Sequence, residues 1–323
     1  MHISFLSLLC DPISKSEFKL EVIKKEDDVI IEGNLISEKN VYKIINGIPR
    51  FIKNSNLKQS FGFQWKKWNN LQFESQNIGN AMEGVTKNLF EKSTKFEDQI
   101  NKNKIFLDVG AGTGRFADLL LKNNNKVICL DVSSSVDQIQ NNFKNKNEQL
   151  LIVQCDFEKL PFKDESIDNA FSIGVLHHSK KPDLVFPEAY RVLKKEGSFA
   201  VSVYSKNSPY NFINIYVWRK FFNFLKIPFS FYPILIYTYF FVNIYYLIAK
   251  ILKFKYLNIF QLSIFPCFIY RDKNWSFLDT FDSLSPEFAS THSNQEVYNW
   301  FADNKFKEIS KIGPYDSNFK GFK

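Results

Sequence analysis

The chain has 323 residues, enough for one large domain or two modest ones, and its 24% charged and 45% apolar residues are typical of a globular protein. Its four cysteines, Cys10, Cys129, Cys155 and Cys267, form no CxxC pair, which argues against a disulfide scaffold or an intact zinc ribbon and fits a reducing compartment. The first residues lack a basic run followed by a long apolar run, so we expect no signal peptide.

The net charge of +8 is concentrated in one segment. Residues 205–275 contain nine Lys and Arg side chains against one Asp, so their net charge equals that of the whole chain. A basic, aromatic segment suggests an anionic partner, such as a lipid headgroup, a nucleic acid or an acidic substrate. The alternative is that these cations are the solvated ends of buried helices.

The predicted elements divide the chain into a few segments. Residues 1–53 consist of short predicted strands separated by turns and form a small β-rich module. Residues 54–100 are mixed, with a helix predicted in VTKNLFEKSTKF. Residues 101–323 form the main domain, which a helical, hydrophobic and aromatic insertion interrupts at 207–275.

Strands and helices alternate from residue 105 onward. The predicted strands are KIFLDVG, KVICLDV, LLIVQCD, IDNAFSIG and GSFAVSVYS, and the predicted helices are RFADLLLKN, VDQIQNNFKN and PDLVFPEAYRVL. Apolar strands alternating with helices predict an α/β fold with a doubly wound, mostly parallel sheet. Near the end of the chain, SNQEVYNWFADN predicts a helix that begins with a capping box of Ser293 and Glu296, and FKEISKIG and NFKGFK predict a terminal hairpin.

The stretch LDVGAGTGRF, residues 107–116, lies between a predicted strand and a predicted helix, as a nucleotide-binding glycine loop does. Its glycines permit a tight turn and a close approach of the backbone to a ligand. They are Gly110, Gly112 and Gly114. A dinucleotide fingerprint would have Gly or Ala at the position of Arg115. Asp108 would repel a phosphate but attract an ammonium group, so the loop favours a nucleoside with a cationic amino-acid end.

This loop resembles motif I of the class I S-adenosylmethionine-dependent methyltransferases. Four further stretches extend the resemblance over residues 100–204, in the expected order: VICLDVS, VQCDFEKLPF, DESIDNAFSIGVLHHSKKP and AYRVLKKEGSFAVSVY. The resemblance implies a Rossmann-like sheet of seven strands and S-adenosylmethionine as the cofactor. The third stretch, with its VLHH, is similar to the branch that acts on small molecules.

The resemblance also implies roles for cofactor-binding residues beyond Asp108 and the three glycines. Asp131 is expected to bind both ribose hydroxyls, Asp156 to hold the adenine amino group, and Phe157 to lie beside the adenine ring. The alternative for Asp131 and Asp156 is a helix cap or a solvated loop position.

Residues 1–53 resemble a degenerate zinc-ribbon-like module in LLCDPISKSEFKL and YKIINGIPRFI. Only Cys10 remains of the paired cysteines that an intact ribbon uses, so we expect no zinc and no other metal. SFGFQWKKW resembles the segment that precedes the main domain in this branch. Its Gln64 and Trp65 are expected either to cover the cofactor or to pack into the core.

Methyl transfer to a hydroxyl or an acidic carbon requires removal of a proton, and the pKa of histidine suits it to this step. His177 and His292 are the predicted catalytic residues, although packing is an equally consistent role for His177. Residues 278–301 resemble a C-terminal segment of some of these enzymes, which implies that Asp282 and Phe288 bind the substrate.

These features predict methyl transfer to an oxygen or carbon nucleophile of a small, apolar or amphipathic metabolite. Amino-methylating DNA enzymes usually carry an Asn/Asp-Pro-Pro-aromatic motif where this chain has GVLHHSKK, so no nucleic-acid partner is expected. The alternatives are a nucleic-acid or protein methyltransferase and a non-catalytic, cofactor-binding partner protein.

Residues 227–249 carry no charge and are long enough for a helix that crosses a membrane. A single crossing would separate the terminal hairpin from the sheet that it should join. We therefore expect an insertion that forms a lid or lies on a membrane surface. The expected location is the cytoplasm, with peripheral contact at the inner membrane surface through 207–275.

Overall fold

The computed structural model describes residues 1–52, 59–97, 103–224, 231–251, 266–313 and 317–323. A mixed sheet runs through this part of the chain. Its strands are β1 Lys19–Glu26, β2 Val29–Ile36, β3 Val41–Ile45, β4 Ile48–Arg50, β5 Ile105–Val109, β6 Lys126–Asp131, β7 Leu150–Gln154, β8 Ile167–Ile173, β9 Leu193–Val203, β10 Lys307–Lys311 and β11 Ser317–Phe322.

Helices cover this sheet and form the segment between β9 and β10. They are α1 Gln59–Lys67, α2 Glu74–Asn77, α3 Val85–Thr94, α4 Arg115–Leu120, α5 Ser135–Asn142, α6 Val185–Val192, α7 Pro209–Ile213, α8 Arg219–Phe224, α9 Phe231–Ile251, α10 Lys273–Leu284 and α11 Asn294–Asp303. A π-helix, Asn214–Trp218, joins α7 to α8. The capping box predicted at Ser293 and Glu296 is present at the start of α11.

The strand order is β1-β2-β3-β4-β7-β6-β5-β8-β9-β11-β10. The five strands from β7 to β9 in this order are parallel to one another. Chain order reverses between β5 and β8, which is where doubly wound sheets bind ligands, beyond the carboxyl ends of the strands. The predicted fold class is confirmed, and so is the terminal hairpin, because β11 pairs with both β9 and β10.

The prediction of seven strands is wrong for the sheet as a whole, which has eleven among the described residues. The N-terminal strands add the other four, because β4 pairs in parallel with β7 at Arg50 and Gln154. The Arg50 guanidinium also donates to Gln154 Oε1 at 2.6 Å, and Phe51 N donates to Gln154 O at 2.8 Å. This pairing covers an edge that would otherwise expose backbone donors and acceptors.

The N-terminal strands share their core with the main sheet. Leu35 of β2 and Tyr42 of β3 belong to the same buried cluster as Leu151 of β7 and Phe162. Cys10 is buried there, and burial raises the pKa of its thiol. Within the part of the chain that the structure describes, no group of three or more His, Cys, Asp or Glu side chains could hold a metal ion.

The described part of the predicted insertion is helical over α7, α8 and α9, while residues 225–230 and 252–265 lie outside the described residues. One face of α9 packs on α10, and their cluster includes Ile234, Tyr245, Phe277 and Phe281. Tyr232–Ile251 is long and apolar enough to cross a membrane, with a mean hydropathy of 1.6. The chain nevertheless returns after α10 to the sheet that contains β5, as a single crossing would not allow.

Candidate active site

The glycine loop follows β5 and opens into a cavity at the reversal of strand order. Gly110 and Gly112 have φ angles of +88° and +58°, which L side chains rarely adopt. A Cβ atom on Gly110 would lie 2.3 Å from Val175 Cγ1, and one on Gly112 would lie 3.3 Å from the Trp65 ring. The loop therefore requires glycine both for its backbone conformation and for the space that remains.

Asp131 ends β6 and faces the loop from the neighbouring strand. Its Oδ2 accepts a hydrogen bond from Gly112 N at 3.0 Å, and its Oδ1 accepts from Ser133 N and Ser133 Oγ, both at 2.8 Å. A carboxylate oxygen has two lone pairs, so Oδ1 is fully used by its two hydrogen bonds and Oδ2 keeps one lone pair. Asp131 lines the cavity, so this lone pair remains available to a ligand.

Asp108 lies within β5, two residues before Gly110, and is buried outside the cavity lining. Its Oδ2 has no hydrogen-bond partner among the described residues. Burial raises its pKa to about 8; Arg115 opposes the rise and Asp131 adds to it. In the protein without ligand, this carboxyl is therefore mostly protonated at neutral pH.

Asp156 and Phe157 follow β7. Phe157 is half-buried and lines the cavity, whereas Asp156 is exposed and lies outside the lining. Asp156 Oδ1 accepts a hydrogen bond from Glu158 N at 3.1 Å. The structure thus brings Phe157 into the cavity and leaves Asp156 beside it. Gly114 also lies outside the lining, at the N-cap of α4.

His177 and His178 follow β8 in a short 3-10 helix, and both line the cavity. Tyr204 N donates to His177 Nδ1 at 3.2 Å, and the two rings stack at 3.6 Å. A backbone N–H can only donate, so the neutral His177 ring carries its proton on Nε2. His178 has the opposite tautomer, because its Nδ1 donates to the Phe288 carbonyl at 2.9 Å and Nε2 keeps the lone pair.

His292 and Phe288 are not part of the cavity lining. His292 is buried beneath the loop that carries the two histidines; its Nε2 lies 2.8 Å from Ser290 Oγ, and Ser290 N donates to His177 O. Burial lowers the pKa of His292. Phe288 is 38% exposed and contributes its backbone carbonyl to His178.

The opposite wall comes from α1 and α10. Gln64 Nε2 donates to Asp282 Oδ1 at 2.7 Å, and both residues line the cavity together with Trp65. Burial raises the pKa of Asp282, while the Gln64 hydrogen bond and nearby Arg219 oppose the rise. Of the two residues predicted to bind substrate, the structure thus brings Asp282 into the cavity.

A chain of polar contacts, not predicted from the sequence, joins the loop helix to this wall. Arg115 Nη1 donates to Gln72 Oε1 at 2.8 Å, and Gln72 Nε2 donates to Asp279 Oδ1 at 2.9 Å. Burial raises the pKa of Asp279 to about 6, although Tyr270 donates to its Oδ2 at 2.5 Å. The contacts join segments 43 and 207 residues apart, which no local pattern reveals.

Arg219 lies at the start of α8, behind the cavity wall. Its Nε donates to Ser283 O at 2.7 Å, and its guanidinium lies 5.7 Å from the Tyr204 ring centroid. Neither Nη atom has a hydrogen-bond partner among the described residues. This buried cation opposes the rise in the pKa of Asp282 that burial causes.

The cavity has a volume of about 300 Å³ and joins residues from distant parts of the chain. Of the residues predicted from the sequence, it brings together six: Gly110, Gly112, Asp131, Phe157, His177 and Asp282. Its polar half surrounds the glycine loop, and Phe268 and Leu278 contribute apolar surface. A nucleoside and a second small molecule could therefore meet in one space.

Residues 107–201 match the family described as "Methyltransferase domain". The match begins within β5 and ends within β9, so it includes the glycine loop, Asp131 and both cavity histidines. The central part of the chain is therefore a class I S-adenosylmethionine-dependent methyltransferase domain, as the order of motifs predicts. The family implies S-adenosylmethionine as the cofactor. The match does not reach residues 1–53, whose likeness to a zinc ribbon has no support.

Several curated proteins are similar to this region. The chain is 28% identical over 143 residues to a sterol 4-C-methyltransferase of Caenorhabditis elegans, covering 43% of this chain and 41% of that protein. It is 31% identical over 102 residues to a malonyl-[acyl-carrier protein] O-methyltransferase of Methylococcus capsulatus, covering 31% and 37%. The chain thus spans less than half the length of either relative, so the similarity is confined to the shared domain.

Among solved structures, a 1,6-didemethyltoxoflavin-N1-methyltransferase of Burkholderia thailandensis is similar over 94% of this chain and 99% of that one. The identity is 12% and the TM-score 0.42. That likeness is too weak to add to the family assignment.

Proposed function

We propose that this protein is an S-adenosylmethionine-dependent methyltransferase that acts on an oxygen or carbon atom of a small, apolar or amphipathic molecule. The proposal rests on one observation: the same cavity is lined by Gly112 and Asp131 on one side and by His178 and Leu278 elsewhere. The matched family supports the methyl donor. The apolar residues of the far wall support the class of acceptor.

The residues around the loop fit the cofactor. A side chain at Gly110 or Gly112 would press on Val175 or Trp65, which both line the cavity, so glycine lets the loop lie close to these walls. The remaining lone pair on Asp131 Oδ2 suits a ribose hydroxyl, and Phe157 offers a ring face to adenine. Asp108 is buried outside the cavity lining, and contact of its carboxyl with the cofactor's ammonium group stays a prediction.

S-adenosylmethionine supplies a methyl group already activated on a sulfonium, so the protein's main tasks are to orient the reactants and exclude water. Trp65 and Phe268 cover the cavity from the segments outside the matched domain. Gln64 fixes the Asp282 carboxylate at the far wall with a hydrogen bond of 2.7 Å. A hydroxyl-bearing acceptor could donate to that carboxylate.

Proton removal falls to His178 in this proposal. Its Nδ1–H is held by the Phe288 carbonyl, so Nε2 presents a lone pair, as a general base requires. His177 has its Nδ1 lone pair occupied by Tyr204 N and serves as a donor or packing residue. We expect His178→Gln to lower turnover about 100-fold with little change in cofactor affinity, and His177→Gln to have the smaller effect on turnover. Equal losses in both variants would contradict this assignment.

Incubation with methyl-labelled cofactor and fractionated cell extract tests the proposed function. We expect label in the lipid or small-molecule fraction and none with Asp131→Ala, which serves as the inactive control. Label confined to RNA or protein would replace the proposed substrate class. Cofactor binding without labelling of any fraction would favour a non-catalytic partner protein.

A further inference from the structure

The outward face of α9 is apolar where a surface helix of a soluble protein would be polar. Five large apolar side chains on α9 are between 53% and 70% exposed: Tyr232, Ile236, Phe240, Leu247 and Ile251. Their spacing of three or four residues, counting Asn243 between them, places them on one side of the helix. Asn243 donates to Tyr239 O of its own helix. A helix that is apolar all round is normally buried on every side.

The neighbouring helices extend this surface. Five residues from α7 to α8 are also large, apolar and exposed: Phe212, Tyr216, Val217, Phe221 and Phe224. The Trp218 ring of the π-helix and the Phe222 ring of α8 pack against Tyr237 of α9, with centroids 5.2 and 5.7 Å from that of Tyr237. The π-helix, α8 and α9 therefore belong to one layer. Together with Ile248, these ten residues make up 11 of the 21 large apolar residues that are exposed in the described part of the chain. We call these 11 residues, all between positions 212 and 251, the apolar surface.

Cations are interspersed with the apolar surface. Lys220 lies 5.6 Å from the Tyr216 ring centroid, and Lys250 is exposed at the end of α9. The net charge of residues 205–275 is +8. A second copy of the chain would bring its own Lys220 and Lys250 to the contact, and these like charges would repel. An anionic lipid surface instead complements both the apolar side chains and the lysines.

We propose that the apolar surface docks on an anionic lipid bilayer, with α9 lying in the plane between headgroups and acyl chains. The opposite side of α9 packs on α10, which contributes Leu278 and Asp282 to the cavity wall. The bilayer would then lie next to the helix layer that covers the active-site cavity. The docking itself requires neither cofactor nor substrate.

Vesicle co-sedimentation of the full chain tests this proposal. We expect binding to vesicles that contain about one third phosphatidylglycerol, and at least about tenfold weaker binding to pure phosphatidylcholine or in 0.5 M salt, because salt screens the attraction between charges. Ile236→Gln combined with Phe240→Gln should weaken binding by about tenfold or more, since two exposed side chains lose their apolar burial. Lys220→Gln combined with Lys250→Gln should reduce the salt dependence.

The matched control is Ile23→Gln combined with Ile78→Gln, which removes two side chains of similar exposure, 64% and 67%, elsewhere on the molecule. The control should bind vesicles like the wild type, and all variants should unfold at similar temperatures. Absence of binding to both vesicle types, or equal loss in the control, would overturn the proposal. So would a stable wild-type dimer that Ile236→Gln with Phe240→Gln converts to a monomer, because a second copy would then cover the surface.

Discussion

The sheet region, residues 105–203, and the inserted helices α7 to α9 are both rich in apolar residues but expose them very differently. In the sheet region, strand residues such as Leu107, Ile128 and Val153 are completely buried. In α9, Ile236 and Phe240 are more than half exposed. The difference follows from packing: a parallel sheet is covered on both faces, whereas α9 has a protein partner on one side.

The two regions also differ in how their polar groups are held. Around the glycine loop, Asp131 is fixed by Ser133 two residues away and by the adjacent loop. On the far wall, Asp282 depends on Gln64, which is 218 residues away in sequence. The cofactor side is therefore built from contacts near in sequence, while the acceptor side depends on a contact between α1 and α10, which are far apart in sequence.

The largest expected effect is the loss of cofactor binding when a glycine of the loop is replaced. Gly110→Ala would place a Cβ 2.3 Å from Val175 Cγ1 at a φ of +88°, so we expect cofactor binding to be lost. The control is Gly79→Ala, which has a similar φ of +78° but no heavy atom within 4 Å of the new Cβ. It should cost only the backbone strain, about 1–2 kcal/mol.

Titration calorimetry with S-adenosylhomocysteine and urea unfolding distinguish the two variants. Retained binding in Gly110→Ala would mean that Val175 moves aside. Glycine at position 110 would then not be required for cofactor binding.

The next comparison is between two predicted cofactor carboxylates. Asp131→Ala removes the acceptor of three hydrogen bonds at the cavity edge, and we expect cofactor affinity to fall about 100-fold, or about 3 kcal/mol. Asp156→Ala removes an exposed side chain outside the lining and should weaken binding less than tenfold. The same calorimetry measures both, and a reversed order would contradict the assigned importance of Asp131.

The sheet region could be predicted from the sequence because its signals are local. Apolar strands such as LLIVQCD alternate with helices, and the glycines of LDVGAGTGRF mark the turn after β5. The addition of β4 to β7 could not be predicted, since it depends on one parallel pair between Arg50 and Gln154, which are 104 residues apart.

The site was partly predictable for the same reason. Asp131 follows an apolar strand at a fixed distance from Gly110, and the structure places both in the cavity. The choice of His178 rather than His177 as the base depends on backbone contacts that the sequence does not reveal. His178 Nδ1 contacts Phe288 O, whereas His177 Nδ1 contacts Tyr204 N. His292 is held beneath the cavity by contacts that form only in the folded chain.

A smaller effect concerns the buried carboxyl of the loop strand. Burial raises the pKa of Asp108 from 3.8 to about 8, so the folded state binds a proton that the unfolded state releases. The free energy of unfolding contributed by this group therefore falls as pH rises from about 4 to about 8. Asp108→Asn cannot ionise, so its stability should fall less than that of the wild type over this range. Urea unfolding of both cofactor-free proteins at pH 5 and pH 8 measures the difference, and parallel profiles would contradict a buried, protonated Asp108.

The smallest effect tests the link between the sheet region and α10, the helix on which α9 packs. Gln72→Leu would break the bridge from Arg115 to Asp279 and leave two partly buried polar groups without this partner, so we expect a loss of about 1–3 kcal/mol in the free energy of unfolding. Gln76→Leu changes an exposed residue four positions later and should stay within about 0.5 kcal/mol of the wild type. If Gln72→Leu matches that control, packing such as the contact between Trp68 and Phe281, with ring centroids 5.5 Å apart, holds α10 in place without this bridge.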